Sequence, residues 1–290
     1  MFRSTLRRDS ALLWTLRALA AVSAAIVLLV GYFLTTESTP ALRDVGVLRF
    51  FTDSSWHPRG GSASGTFNLS PMVAGSLLAT VGAILLAAPF GVASAVFCQY
   101  YASARLARVY RQLIGLLAGI PSVVYGFWGL VVLVPILRTL APPGQSLLAG
   151  ILILALMILP TVALIADGVL ANVPRGYLLG ASALGLSRFS TVLRVALPAA
   201  RSGLITATIL GAGRAMGETM AILMVCGNVV ELPRSVFDPV RTLTANIALE
   251  MAYAVGDHRS ALFLTGLVLL LLVSALVALS SRLARVDAHA

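Results

Sequence analysis

Arg214 and Glu218 stand four residues apart in GRAMGETMA (213–221), inside an apolar run from about 203 to 226. A guanidinium is a planar fork of donors that matches two oxygens of a tetrahedral anion. A carboxylate beside it repels anions but accepts a hydrogen bond from one that is still protonated. The pair therefore suits the passage of a small oxyanion. The competing reading is mutual neutralisation. Residues four apart on a helix share a face, so the two charges would hold a helix bundle together. Stability is a weak reason for them: an arginine at mid-membrane costs about 2.5–3.5 kcal/mol on insertion scales. Paired buried charges also compare poorly with apolar packing, and Arg before Glu is the less favourable helical order. Ala207, Gly211 and Ala221 fall on roughly that face, with Gly213 and Gly217 beside it. Such small residues admit a second helix or a small solute.

The elements that must position this pair are membrane helices. The chain has 290 residues, 59% of them hydrophobic and 11% charged, with a mean hydropathy of +0.95. Apolar runs of bilayer length, about 20 residues, fall near 12–34, 71–98, 113–137, 147–170, 203–226 and 260–281. They are continuous and lack the alternation of barrel strands, so each reads as a helix. The expected fold is all-α: a polytopic membrane protein with about six transmembrane helices. The first apolar run exceeds the 7–15 residues, roughly, of a signal core and is taken as an uncleaved span. Gly119 and Pro121 in span three, and Pro160 in span four, are candidate helix hinges, because proline removes a backbone donor. Tyr125 and Trp128 read as packing residues, and Asp167 as a side chain reaching water.

All 21 basic residues are arginine. With both termini placed in the cytoplasm, thirteen arginines lie on inside segments and seven outside, where seven acids offset them; Arg214 stands apart. This bias follows the positive-inside rule. Spread over separate helix ends, these arginines give no support to nucleic-acid binding. Without lysine there is no GxxxxGK[ST] phosphate loop, so any ATPase must be another polypeptide. Cys98 and Cys226 fall at opposite membrane faces and cannot pair. His57, His258 and His289 are isolated and receive no role, and no metal-ligating cluster stands out.

Three connections are long. The outer segment 35–70, with GGSASG at 60–65, reads as a flexible loop. The outer loop 227–258 carries a stretch, 240–255, with the character of a helix. The cytoplasmic segment 171–202 reads as two short helices around Gly185, the first opened by Pro174, the second capped by Ser187 and closed by Pro198. Its shape is that of a docking surface.

Gly185, followed thirteen residues later by Pro198, with Val195 and Leu197 before it, resembles the "EAA" loop of ABC importer permeases. Ala181 matches that motif, whereas Leu179 and Gly180 stand where the family has Glu and Ala. FFTDSSWHP (50–58), AGIPSVVYGFWGLVVLVP (118–135), ILPTVA (158–163) and GRAMGETMAILMVCGN (213–228) together resemble the phosphate-specific permeases, of the PstC-type subunit. The resemblance covers roughly residues 45–280. It implies a type I ABC importer permease fold. The expected division is an N-terminal region 1–70, a permease core 71–282 with coupling loop 171–202, and a cytoplasmic tail 283–290.

The resemblance also implies a location in the bacterial plasma (inner) membrane and a set of partners. These are a PstA-type permease, an ABC ATPase dimer (PstB-type) that uses ATP and Mg, and an extracytoplasmic phosphate-binding protein (PstS-type). No cofactor is expected in this chain, and it is not expected to be an enzyme. It implies a transport role for Arg214 and Glu218. Either Glu218 accepts the hydroxyl proton of phosphate, which sulfate lacks, or it gates the path by holding Arg214. Readings that stay open are a sulfate or molybdate permease, an ion-coupled secondary transporter, and a membrane subunit that transports nothing.

Overall fold

The computed structural model describes residues 2–58 and 65–286. Most of GGSASG, His289 and the last residues of the tail lie outside the described residues. Helix α1 (Phe2–Ala41) is followed by a π turn (Leu42–Gly46), α2 (Arg49–Thr52) and a two-stranded antiparallel hairpin of β1 (Trp56–His57) and β2 (Thr66–Phe67). Then come α3 (Ser70–Val96), α4 (Ala104–Gly119), α5 (Ser122–Trp128), α6 (Val134–Leu140), α7 (Leu147–Ala171), α8 (Arg175–Ala183) and α9 (Arg188–Thr191). The remainder is α10 (Leu197–Met216), α11 (Met220–Val225), α12 (Leu243–Glu250) and α13 (Gly256–Val286). Among the described residues, with helices joined across π turns where these occur, six stretches are long and apolar enough to cross a membrane: Leu12–Gly46, Ser70–Tyr101, Ser122–Leu140, Leu147–Ala171, Arg188–Met216 and Gly256–Leu279.

Two of the expected boundaries are corrected. Span three starts at Ser122, not near 113. Pro121 holds Ile120 extended (φ −67°, ψ 129°) and ends α4 at Gly119. Helix α4 is amphipathic, with Ala107 and Ile114, seven residues apart, as its buried face. Span five starts at Arg188 and stops at Met216. Pro198 does not close a helix; the chain runs through it as α9, a π turn (Val192–Ala196) and α10. A proline ring clashes with the carbonyl four residues back, here that of Arg194, and the π turn widens the helix at that residue. Pro135 is admitted in the same way, behind the π turn Gly129–Leu133.

The core forms where α7 lies against α3 and α10. On α3 the buried positions Gly75, Ala79, Ala83, Ala87, Gly91 and Ala95 recur every four residues, a small-residue stripe that lets α7 approach closely. A Cβ on Gly91 would lie 2.9 Å from the Val162 side chain. Helix α10 also packs on α13, and α13 on α1.

The described residues of segment 35–70 do not form the flexible loop expected from its composition. Phe50, Trp56, Phe67 and Leu69 are buried with Leu243 and Leu262 in a second apolar cluster. Asp53 organises the hairpin: its Oδ2 accepts from Arg49 Nη2 at 3.1 Å and from the Phe67 N–H at 2.9 Å. Residues 243–250 of the other long connection do form a helix, α12, capped by Thr242 Oγ1.

Candidate functional site

Arg214 lies in the last turn of α10, one turn before a break at Gly217–Thr219. The pair therefore does not share one face of a continuous helix. Gly213 and Gly217 weaken helix there, and the Glu218 carboxylate competes for backbone donors. Its Oε1 accepts from the Ala221 N–H at 3.2 Å, capping α11, where negative charge is favoured by the helix dipole. The Glu218 carbonyl, released from helical bonding, accepts from Thr244 Oγ1 of α12 at 2.7 Å.

Nor do the two charges neutralise each other. Arg214 Nη1 donates instead to Thr161 Oγ1 of α7 at 2.8 Å. Among the described residues no ion pair joins Arg214 to Glu218. Arg214 is exposed although its helix is of membrane-crossing character. Ionisable side chains in membrane-crossing helices are costly in hydrocarbon and almost always turn toward the bundle interior or a water-filled cavity. Space is available: a Cβ on Gly213 would meet nothing within 4 Å. Behind Glu218, a narrow cleft is lined by hydroxyls of Ser76, Thr80, Thr242 and Thr244.

The candidate hinges divide. Gly119 and Pro121 form the joint between α4 and α5. Across that joint the Tyr125 hydroxyl donates to the Leu117 carbonyl at 2.8 Å, which makes Tyr125 a packing residue as expected. Helix α7 runs unbroken through the buried Pro160.

In the connection between α7 and α10, Ala181 is buried in α8 and Gly185 has φ +70°. The Leu186 N–H bonds the Ala181 carbonyl and the Gly185 N–H that of Ser182, which is a Schellman motif requiring the left-handed glycine. Ser187 Oγ caps α9 through the Ser190 N–H at 3.2 Å. Val195 sits in the π turn, and half-buried Leu197 packs with Ala95, Leu170 and Ala200. Tyr177, Leu179, Leu184 and Phe189 are exposed, Leu184 at 81%.

Three groups in the structure escaped sequence reasoning. Thr161 is one. Another is Asp167, which does not simply reach water: it takes a bidentate pair from Arg111 at 2.8 and 3.1 Å and a bond from Gln99 at 2.9 Å. The Asp167 hydrogen bond raises the Arg111 pKa above its ordinary value. The third is buried Glu250, bonded by Trp56 Nε1 and His258 Nε2 at 2.8 Å and by Arg241 Nη1 at 2.6 Å. His258, given no role above, thus belongs to a network that lines a cavity of about 760 Å³ with His57 and Glu231. The partners come from segments far apart in the chain, and no local spacing signals them.

Crossing helices of membrane length around a small-residue core define a polytopic membrane protein. The family model for the binding-protein-dependent transport system inner membrane component matches residues 87–286, and the chain belongs to that family. A probable ABC transporter permease of Bacillus subtilis is 40% identical over 79% of this chain and 74% of its own. A phosphate transport system permease protein PstC of Mesorhizobium japonicum is 34% identical over 83% of this chain and 79% of its own. A chain of the inward-facing MetNI methionine ABC transporter, 21% identical, superposes with a TM-score of 0.57 over 76% of this chain and 94% of that one. The fold is that of type I ABC importer permeases, and the protein is a multi-pass inner-membrane protein.

Proposed function

We propose that this chain is a permease subunit of an ATP-driven importer of inorganic phosphate, in which Arg214 and Glu218 line the path. The observation that carries the reading is the placement of Arg214, exposed within a membrane-crossing helix and held by Thr161 rather than by Glu218. A charge used as glue would be paired and enclosed. The phosphate assignment is supported by the names of relatives, of which several are PstC proteins at 31–34% identity. Glu218 uses Oε1 on the Ala221 N–H, and its other oxygen remains for the proton of a hydrogen phosphate. The geometry favours this discriminating role over a gate in which Glu218 grips Arg214.

The rest of the assembly follows by the same reading. Arginine bias places both termini in the cytoplasm, and with them α8 and α9. The exposed side chains Tyr177, Leu179, Leu184 and Phe189 form the face that meets a PstB-type ATPase, which binds and hydrolyses ATP with Mg. A PstA-type permease completes the path, and a PstS-type binding protein delivers phosphate from outside. ATP closes the ATPase pair, segment 171–202 moves with it, and the helices open outward; hydrolysis resets them.

The test is ATP-dependent phosphate uptake in vesicles holding the assembled complex, wild type against Arg214→Gln, with assembly followed by co-purification. Uptake lost from an intact complex is the expected result. Uptake retained would make Arg214 structural and remove the anion path from this helix.

A further inference from the structure

Four threonines buried or half-buried in membrane-crossing helices around the site share one habit. Thr80 donates its hydroxyl to the Ser76 carbonyl, Thr206 to Ser202, Thr208 to Leu204 and Thr265 to Ala261, all four residues back at 2.8–3.0 Å. This back-bond spends the hydroxyl proton on the helix itself. Thr161 departs from the habit. It sits half-buried in α7, and among the described residues its hydroxyl makes no bond to the Met157 carbonyl. Its one hydrogen bond is the one it accepts from Arg214 Nη1 at 2.8 Å.

A threonine hydroxyl carries a donor as well as acceptor lone pairs. With a lone pair given to Arg214, the proton of Thr161 remains to be donated, and it lies within one hydrogen bond of the exposed guanidinium. The guanidinium in turn keeps the rest of its donor fork. An oxyanion resting on Arg214 would meet Thr161 at the same time. Charge-assisted bonds of this kind are stronger than neutral ones.

We propose that Thr161 belongs to the anion path itself: its oxygen positions the Arg214 guanidinium, and its hydroxyl proton binds an oxygen of the passing phosphate. The proposal rests on the reading of Arg214 as a path residue. It adds a binding element, since a hydroxyl donor serves any oxyanion and leaves the choice of a protonated one to Glu218.

The experiment is phosphate uptake by the complete complex in vesicles, comparing wild type, Thr161→Val and Thr161→Ser, with assembly and melting measured alongside. Valine keeps the shape and removes the hydroxyl; serine keeps the hydroxyl. Loss of one hydrogen bond to a charged group corresponds to about tenfold in rate. The expected result is a maximal uptake rate down about tenfold in T161V, near wild type in T161S, with assembly, melting and KM unchanged. Uptake unchanged in T161V, or lowered equally in both, overturns the proposal. If T161V does not assemble, Thr161→Cys against Thr161→Ser makes the same comparison. The thiol is a weak donor, so uptake falls with cysteine only, and equal uptake overturns the idea. Failure of the parent reading is separate: it appears as uptake retained in R214Q, whatever Thr161 does.

Discussion

At the scale of single residues, the site is three side chains with different tasks. Under the proposed function Arg214 supplies charge, Thr161, which accepts from it, holds it, and Glu218, which caps α11 with Oε1, keeps its other oxygen for a proton. Glu218→Gln separates these tasks. Glutamine's amide oxygen can still accept from the Ala221 N–H, so assembly is expected to survive. The free position then offers no preference for a protonated anion. Competition assays are expected to show sulfate gaining on phosphate by about tenfold, the worth of one buried bond to a charged acceptor. Phosphate uptake lost without any gain by sulfate would weaken discrimination and favour a gate.

At the scale of elements, glycine decides two features. Gly185 holds the left-handed position that ends α8. An alanine there costs about 1–2 kcal/mol of backbone strain, enough to splay α8 from α9. In G185A, ATP-dependent uptake and recovery of the ATPase by co-purification are expected to fall together. Gly91 decides the other feature. Its stripe on α3 lies against α7, and a valine would press into Val162. Overpacking of that kind costs about 1–3 kcal/mol, so G91V is expected to lower the melting midpoint in detergent. An unchanged midpoint would show that α3 and α7 are free to move apart.

At the scale of the whole molecule, buried carboxylates join segments that the chain brings together from a distance. Glu250 ties Trp56 of the hairpin, Arg241 before α12 and His258 of α13. The same helix α12 touches the Glu218 carbonyl through Thr244. Half-buried Asp167 ties α4 to α7. Removing one partner of a buried ion pair costs about 3–5 kcal/mol, because the other charge is left behind. Denaturation in detergent is expected to show Glu250→Ala losing stability on that scale. Asp167→Asn is expected to lose less, since the Arg111 side chain is 38% exposed and water can solvate it.

The amino-acid order by itself determined the helical class, the run of membrane-length segments and the turn chemistry of α8 and α9. These depend on local quantities: apolar length, glycine and proline positions, and a serine cap. It also marked Arg214 and Glu218, because a charge inside an apolar run is conspicuous whatever surrounds it. Only the tertiary structure decided how those charges are used. The Glu218 carbonyl freed where α10 stops is bonded by Thr244, and Arg214 is held by Thr161, and both partners lie on other helices. The burial of Trp56 and the hairpin was illegible for a related reason. Polar composition suggested a loop, but its few large apolar side chains found Leu243 and Leu262, and burial free energy depends on neighbours that sequence distance does not reveal.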